Sequence, residues 1–450
     1  MAGPRETPRE TVAQKKARDL KLWLIVGAGL LLLLSIFSEG FFLYIAMAAG
    51  GLYVFGWLVA TIGLLGVSVQ HKLERTEIEL GENVTARLKL RNAKEAPAWW
   101  LLWRDQIDPG LDVEGASSAF RNLAAGETHE LVYKLHSLRR GLFQVGPVLI
   151  ESSGPFGLVR RFEVGSEAAF VTVMPRTVAI GEGWPLGHRP IHEVPRRRSL
   201  FEDPTRFLGI RDYHHGDELR RVHWRATARA LKLQVKLYEP SVLEGVLLAV
   251  EMSNRAFNLP VEGSENEAGD PLVELTVTAA ASIADFVLAG GQKVALVANG
   301  NDAAAAFPDD WQGGSFQRLD DALADAGGRR KITTARPLEV EPAKGSRQRD
   351  RLRTALARLV PAPGPSLPEM LDVELPRLPR SLVMMVVTPR LDQALGGVLS
   401  SLKRSGIEVG VVWIGGELTE AAEAGNMPEG VPVYAVSSED DLVELGGQQL

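Results

Sequence analysis

The chain has 450 residues, enough at roughly 100–200 per domain for two to four folded units, and 45% of them are hydrophobic, so it can bury sizeable cores. It has no cysteine, which excludes a disulfide framework, thiolate metal sites and a cysteine nucleophile, and its net charge of −6 with a pI near 5.9 argues against a general nucleic-acid binder. The mean hydropathy of −0.00 suits an ordinary soluble protein, but it averages two unlike parts.

Residues 1–21 form a basic tail of charge +3, residues 22–69 contain a single charge at Glu39, and the remaining −8 falls on residues 70–450. The apolar stretch from Leu22 to Val69 is long enough for two spans of about 20 residues, and Ser38-Glu39-Gly40 is its polar break. This predicts a transmembrane helical hairpin. Lys15, Lys16, Arg18 and Lys21 precede it and His71, Lys72 and Arg75 follow it, which places both termini in the cytoplasm. A secretory signal would have a shorter apolar core.

From Glu74 to Val178 short alternating runs such as Val84–Leu90 and Glu130–Leu135 are set off by the turns Leu80–Asn83 and Ala125–Glu127. Period-two alternation of this kind predicts an all-β, sandwich-like domain over 74–178, with Trp99, Trp100 and Trp103 as core or sheet-face aromatics. Arg139, Arg140, Arg160 and Arg161 flank its glycine- and proline-fixed turns and are expected on a solvated rim.

Residues 179–239 are a connector. Pro185, Pro190, Pro195 and Pro204 exclude regular structure between Arg176 and Arg211. Asp217 after Gly216 is a candidate N-cap for a basic helix to about Ala230, with Leu219, Val222, Ala226 and Ala230 on one face and Arg221, Arg225 and Arg229 on another. Three roles are open to it. The arginine face could bind phosphate or an acidic partner; His214, His215, Asp217 and His223 could ligate a metal; or the helix could be pinned to its neighbours by internal ion pairs.

The pattern Arg211-x-Tyr213-x-x-Gly216-Asp217-x-x-Arg220-x-Val222-x-Trp224-x-x-x-Ala228-Arg229 resembles the signature of the bacterial family called domain of unknown function 58. Arg140-Gly141, Gly146-Pro147 and Gly154-Pro-Phe-Gly-Leu158 are similar to that family's β-domain turns. The resemblance implies a two-pass protein of the bacterial inner membrane, a terminal von Willebrand factor A-like domain, and a MoxR-type AAA+ ATPase as partner. It makes Arg211, Tyr213, Gly216, Asp217, Arg220, Arg221, Trp224, Arg225 and Arg229 the signature set for partner binding or structure.

Residues 240–450 alternate buried-type apolar runs, Gly245–Val250, Lys293–Val297, Ser381–Val387, Val409–Ile414 and Val431–Val436, with helical segments Pro271–Ala289, Gln348–Leu359 and Leu391–Lys403. That is a doubly wound α/β (Rossmann-type) sheet, whose ligands bind at the carboxyl ends of the strands. A von Willebrand A metal site has Asp-x-Ser-x-Ser there, whereas this chain has Glu251-Met252-Ser253-Asn254-Arg255. The longer Glu251, the cation at Arg255 and the carboxylate-free Thr388-Pro389-Arg390 leave a degenerate site, so neither metal nor cofactor is expected. The Asp320–Gly328 segment and Pro361–Pro365 are expected to be solvated, the latter as a stiff linker.

No Gly-x-Ser-x-Gly elbow, phosphate-binding loop or His-Glu-x-x-His is present. The sequence therefore favours a non-enzymatic membrane-anchored scaffold. The alternative is a metal-assisted hydrolase using His214, His215, Asp217 or Glu251.

Overall fold

A computed structural model describes residues 26–27, 29–30, 41–165, 168–181, 202–213, 222–240, 245–259, 269–307, 313–327, 337–374, 382–416 and 428–444. The first half of the expected hairpin lies outside these residues, except that Val26, Gly27, Gly29 and Leu30 are helical. Its second half is helix α1, Phe41–Leu64, apolar all round and without a charge. Among the described residues, two helices are long and apolar enough to cross a membrane. Pro271–Ala289 has most of its residues buried and packs as a core helix, whereas in α1 the buried residues are Gly56, Ala60, Gly63 and Leu64.

The chain then enters a sandwich of two sheets. Strands β1 (Val67–Leu73), β3 (Asn83–Asn92), β7 (Thr128–His136) and β5 (Asp112–Glu114) form one sheet. The other contains β2 (Glu77–Glu79), β4 (Ala98–Ile107), β6 (Ser118–Leu123), β8 (Gly141–Ser153), β9 (Arg160–Val164) and β10 (Ala169–Met174). Alternation sets the inner faces: on β3, Val84, Ala86, Leu88 and Leu90 are buried while Arg87, Lys89 and Arg91 point outward. Of the three tryptophans Trp103 is fully buried and Trp99 is 49% exposed. His71 is not a surface cation. It lies between the sheets, its Nε2 2.8 Å from Asp105 Oδ2 and 3.2 Å from the Tyr133 hydroxyl, which itself donates to Asp105.

Within the proline-rich connector the chain does form regular structure. Strand β11 (Glu202–Asp212) pairs antiparallel with β12 (Gln234–Pro240), with register shifts around Phe207 that accommodate Pro204 near the strand's start. Among the described residues between them is a short helix, α2, Trp224–Ala230.

The α/β region follows. Its six-stranded sheet has the order β17 (Leu338–Ala343), β14 (Lys293–Ala298), β13 (Gly245–Val250), β19 (Leu382–Thr388), β20 (Val409–Ile414), β21 (Val433–Val436). All neighbours are parallel except the antiparallel edge strand β17, and the two-residue strands β15 (Asn301–Asp302) and β18 (Leu359–Val360) pair with each other outside this sheet. Every residue of β13 is buried, as a strand covered on both faces requires. Helix α3 (Pro271–Ala289) starts where the sequence predicts, because Asp270 caps it by accepting from Leu272 N–H and Pro271 suits the first turn.

The two regions are interlocked. Strand β16 (Gly314–Phe316) adds to β9 of the sandwich in antiparallel register. Most of the Asp320–Gly328 segment, expected to be solvated, falls in helix α4 (Leu319–Ala326), whose Ala322 and Ala326 are buried against Leu149, Phe162 and Val164. Arg140 is likewise not on a solvated rim: it is 2% exposed. Its Nη1 donates to the carbonyls of Leu356, Ala357 and Leu359 at 2.9, 3.3 and 2.8 Å, at the end of helix α5 (Ser346–Arg358), and its Nε lies 3.3 Å from Glu274 in the first turn of α3. One guanidinium thereby caps the negative end of one helix and holds an anion at the positive end of another. Arg353 adds a 2.6 Å bond to Glu79 of the sandwich. Of the other turn arginines, Arg139 stacks on Phe143, Arg160 pairs with Glu151 and Arg161 lies over Trp57.

Candidate functional site

Two places merit the term. The first is the carboxyl edge of the α/β sheet, where the chain leaves β13 for β14 on one side and later returns to β19 on the other, a topological switch point. Glu251 leaves β13 there and is 4% exposed. Its Oε1 accepts from Ser253 Oγ at 2.5 Å and from Asn299 Nδ2 at 2.9 Å. The Leu367 and Ser253 backbones add further hydrogen bonds. Burial pushes the carboxyl above its usual range, and these bonds oppose the shift. Arg255 is exposed, outside this cluster.

Asn299, which the sequence reading missed, organises the site. It follows the last residue of β14, and its side chain accepts from Met252 N–H while donating to Glu251 and to the Pro365 carbonyl. A polar residue directly after the apolar run Val294–Ala298 of a parallel strand was the available signal. The Pro361–Pro365 segment is not an exposed linker. Pro361 and Ala362 are buried, Ala362 bridges to Ser253, and backbone bonds of 3.0 and 3.1 Å tie it to Met252 and Asn254. It covers the switch point.

Chemically, this cluster supplies donors. A hard cation requires several oxygen lone pairs, but here the Ser253 hydroxyl and the Asn299 amide point their protons at Glu251, and Thr388 Oγ1 is bonded to its own turn through Arg390. The residues at this strand end do not fit a magnesium-type ion. Among the described residues no group of three or more His, Asp or Glu could hold a metal. Glu251→Gln should cost about 1–3 kcal/mol, because one amide oxygen cannot accept the bonds that two carboxylate oxygens take. A thermal melt of the full chain in detergent checks this.

The second place is the signature segment. His214, His215, Gly216, Asp217, Arg220 and Arg221 lie outside the described residues. The helix does not run through from Asp217. Val222 is in a β-bridge with Val235, His223 is the N-cap whose Nδ1 accepts from Ala226 N–H, and Trp224 is the first helical residue. Val222 is therefore buried in the β11–β12 unit rather than on a helical stripe. Arg211 donates to the Asp212 carbonyl and the Tyr213 N–H to that of Leu233, so these two hold the base of the unit. Trp224 is 69% exposed, Leu231 90%, Ile210 43% and Leu233 40%, with Arg225 and Arg229 exposed beside them.

The family described as "Protein of unknown function DUF58" matches residues 209–423, from inside β11 to beyond β20. Over that stretch the chain matches the DUF58 family. Both candidate sites fall within the DUF58 region. The "Uncharacterized protein YeaD" of Bacillus subtilis strain 168 is 23% identical over 306 residues, covering 62% of this chain and 70% of the relative. Among solved structures, the CARDB domain of PF1109 from Pyrococcus furiosus is 11% identical over 24% of this chain and 94% of its own, with a TM-score of 0.18. An Escherichia coli alpha-2-macroglobulin fragment is 18% identical over 26% of this chain and 18% of its own, with a TM-score of 0.22. Likenesses this low carry no functional argument.

Proposed function

We infer that this DUF58 protein is a non-enzymatic scaffold anchored in the bacterial inner membrane by two helices with both termini in the cytoplasm. Its α/β region is von Willebrand A-like, and its partner is a protein, a MoxR-type AAA+ ATPase. The observation that carries the reading is the uncovered face of the β11–β12 unit, where Trp224, Leu231 and Leu233 are exposed beside Arg225 and Arg229. Aromatic and arginine side chains dominate the binding energy of protein interfaces, and an apolar cluster on a basic ground suits an acidic partner surface. The donor-filled switch point supports the absence of metal-dependent chemistry.

Affinity purification of the full chain from native membranes should recover the ATPase. The Arg225→Glu/Arg229→Glu variant should lose it while melting as the wild type does; retention of the partner by that variant would overturn this face as the interface. Elemental analysis of the purified protein should find no stoichiometric transition metal. A bound metal lost on replacing His214, His215 or Asp217 would favour a metal-assisted hydrolase instead.

A further inference from the structure

The β-sandwich meets helix α1 before the helix has run the thickness of a bilayer. Its apolar sequence begins at Phe41, two residues after Glu39. At 1.5 Å per residue a hydrocarbon core of about 30 Å takes about 20 residues, so a core entered at Phe41 ends near Ala60. Contact with the sandwich extends past that level. A Cβ built on Gly63 would sit 2.2 Å from Ser152 Oγ, and one on Gly154 would sit 2.5 Å from the Gly56 carbonyl oxygen. The connection from β8 to β9 thus runs beside the helix from Gly63 back to Gly56. Gly56 lies about 6 Å on the lipid side of Ala60.

The residues that make this approach are of the kind that tolerates it. Ser152 to Val159 reads Ser-Ser-Gly-Pro-Phe-Gly-Leu-Val, without a charge, and is followed at once by Arg160-Arg161. The Arg161 guanidinium lies 5.7 Å from the centre of the Trp57 ring, one residue along the helix from Gly56. Arginine on tryptophan is an arrangement suited to the headgroup level, where aromatic and basic side chains collect. Lys94 closes the helix end by donating to the Ile62 and Gly63 carbonyls. The geometry points to the Gly154–Val159 turn as a membrane-seated wedge. It enters the interface of the bilayer that α1 spans, with lipid as its occupant, and holds the sandwich at a fixed height and tilt. This rests on the membrane reading of α1.

The absence of cysteine gives a clean background for labelling. Single-cysteine variants of the full chain, Leu158→Cys and Ser153→Cys in the wedge, Met47→Cys on the helix and Glu130→Cys on β7, would each carry an environment-sensitive fluorophore. The protein would be reconstituted in phosphatidylcholine–phosphatidylglycerol vesicles. Labels at 158 and 47 should show blue-shifted emission, quenching by spin-labelled lipid and loss of quenching by iodide, with 153 intermediate and 130 the reverse. If 47 reports lipid while 158 and 153 behave like 130, the wedge is wrong and the membrane helix stands. If 47 also reports water, the membrane reading fails with it.

Discussion

Replacing Arg140 with methionine should lower the stability of the full chain by about 3–5 kcal/mol, the range for breaking a buried ion pair from one side. The substitution keeps most of the volume, so the loss is electrostatic: Glu274 loses its counter-charge and the Leu356, Ala357 and Leu359 carbonyls lose their donor. The pH dependence has a definite sign. Burial already raises the Glu274 carboxyl, with Arg140 and then Arg139 opposing the rise. Without Arg140 the folded-state value climbs further above that of the unfolded chain. A carboxyl so raised favours the fold below the unfolded value and loses that contribution as pH rises through the folded one. The deficit of Arg140→Met should therefore be larger at pH 8 than at pH 5, read from urea midpoints. An equal deficit at both would show that Glu274 is not its cause. Arg140→Lys should recover only part of the loss, because one ammonium cannot span three carbonyls and a carboxylate with the reach of a planar fork.

Asp105→Ala is expected to be nearly as damaging, by about 2–5 kcal/mol. The carboxylate accepts from both His71 and Tyr133, and the side chains of His71 and Asp105 are 2% and 0% exposed. Burial, then the Asp105 charge and its hydrogen bond, pushes the Tyr133 hydroxyl far above its ordinary value, so it stays a neutral donor at every working pH. Removing the acceptor strands two buried polar groups at once. The double variant Asp105→Leu/His71→Leu should cost less than the two single changes added together, since an apolar pair leaves fewer groups unpaired. Additive costs in a double-mutant cycle would argue against the network. Because β1 follows α1 after only two residues, the Asp105 variant should also expose the start of the sandwich to limited proteolysis.

Much of this was legible in the sequence where local and global signals agree. The strands Gly245–Val250 and Val409–Ile414 and the helix Pro271–Ala289 were expected with these bounds, because continuous apolar runs and a capped, proline-started helix admit few alternatives. Elements whose meaning depends on distant partners were not legible. Arg140 and, in the Pro361–Pro365 segment, Pro361 and Ala362 carry surface-type composition and are buried because residues far away in the chain close over them. The Leu319–Ala326 helix is acidic on its outer face and needed the sandwich to reveal its inner one. At the candidate sites, Glu251 and Ser253 could be found from strand position alone. Asn299 and the covering proline segment could not be placed until the sheet order set β14 beside β13. The expected helix is not continuous to Ala230, because pairing of Val222 with Val235 holds that residue in extended backbone and the described helix starts at Trp224.

The strand that the α/β region lends to β9 bears on how the protein can be divided. A truncation ending after the sandwich would bare a strand edge and uncover Leu149, Phe162 and Val164 together. That is the recipe for edge-to-edge aggregation. The sandwich sold as a free-standing module would therefore be sticky, and solubility should return when residues 313–327 are grafted back rather than when the boundary is shifted by a few positions.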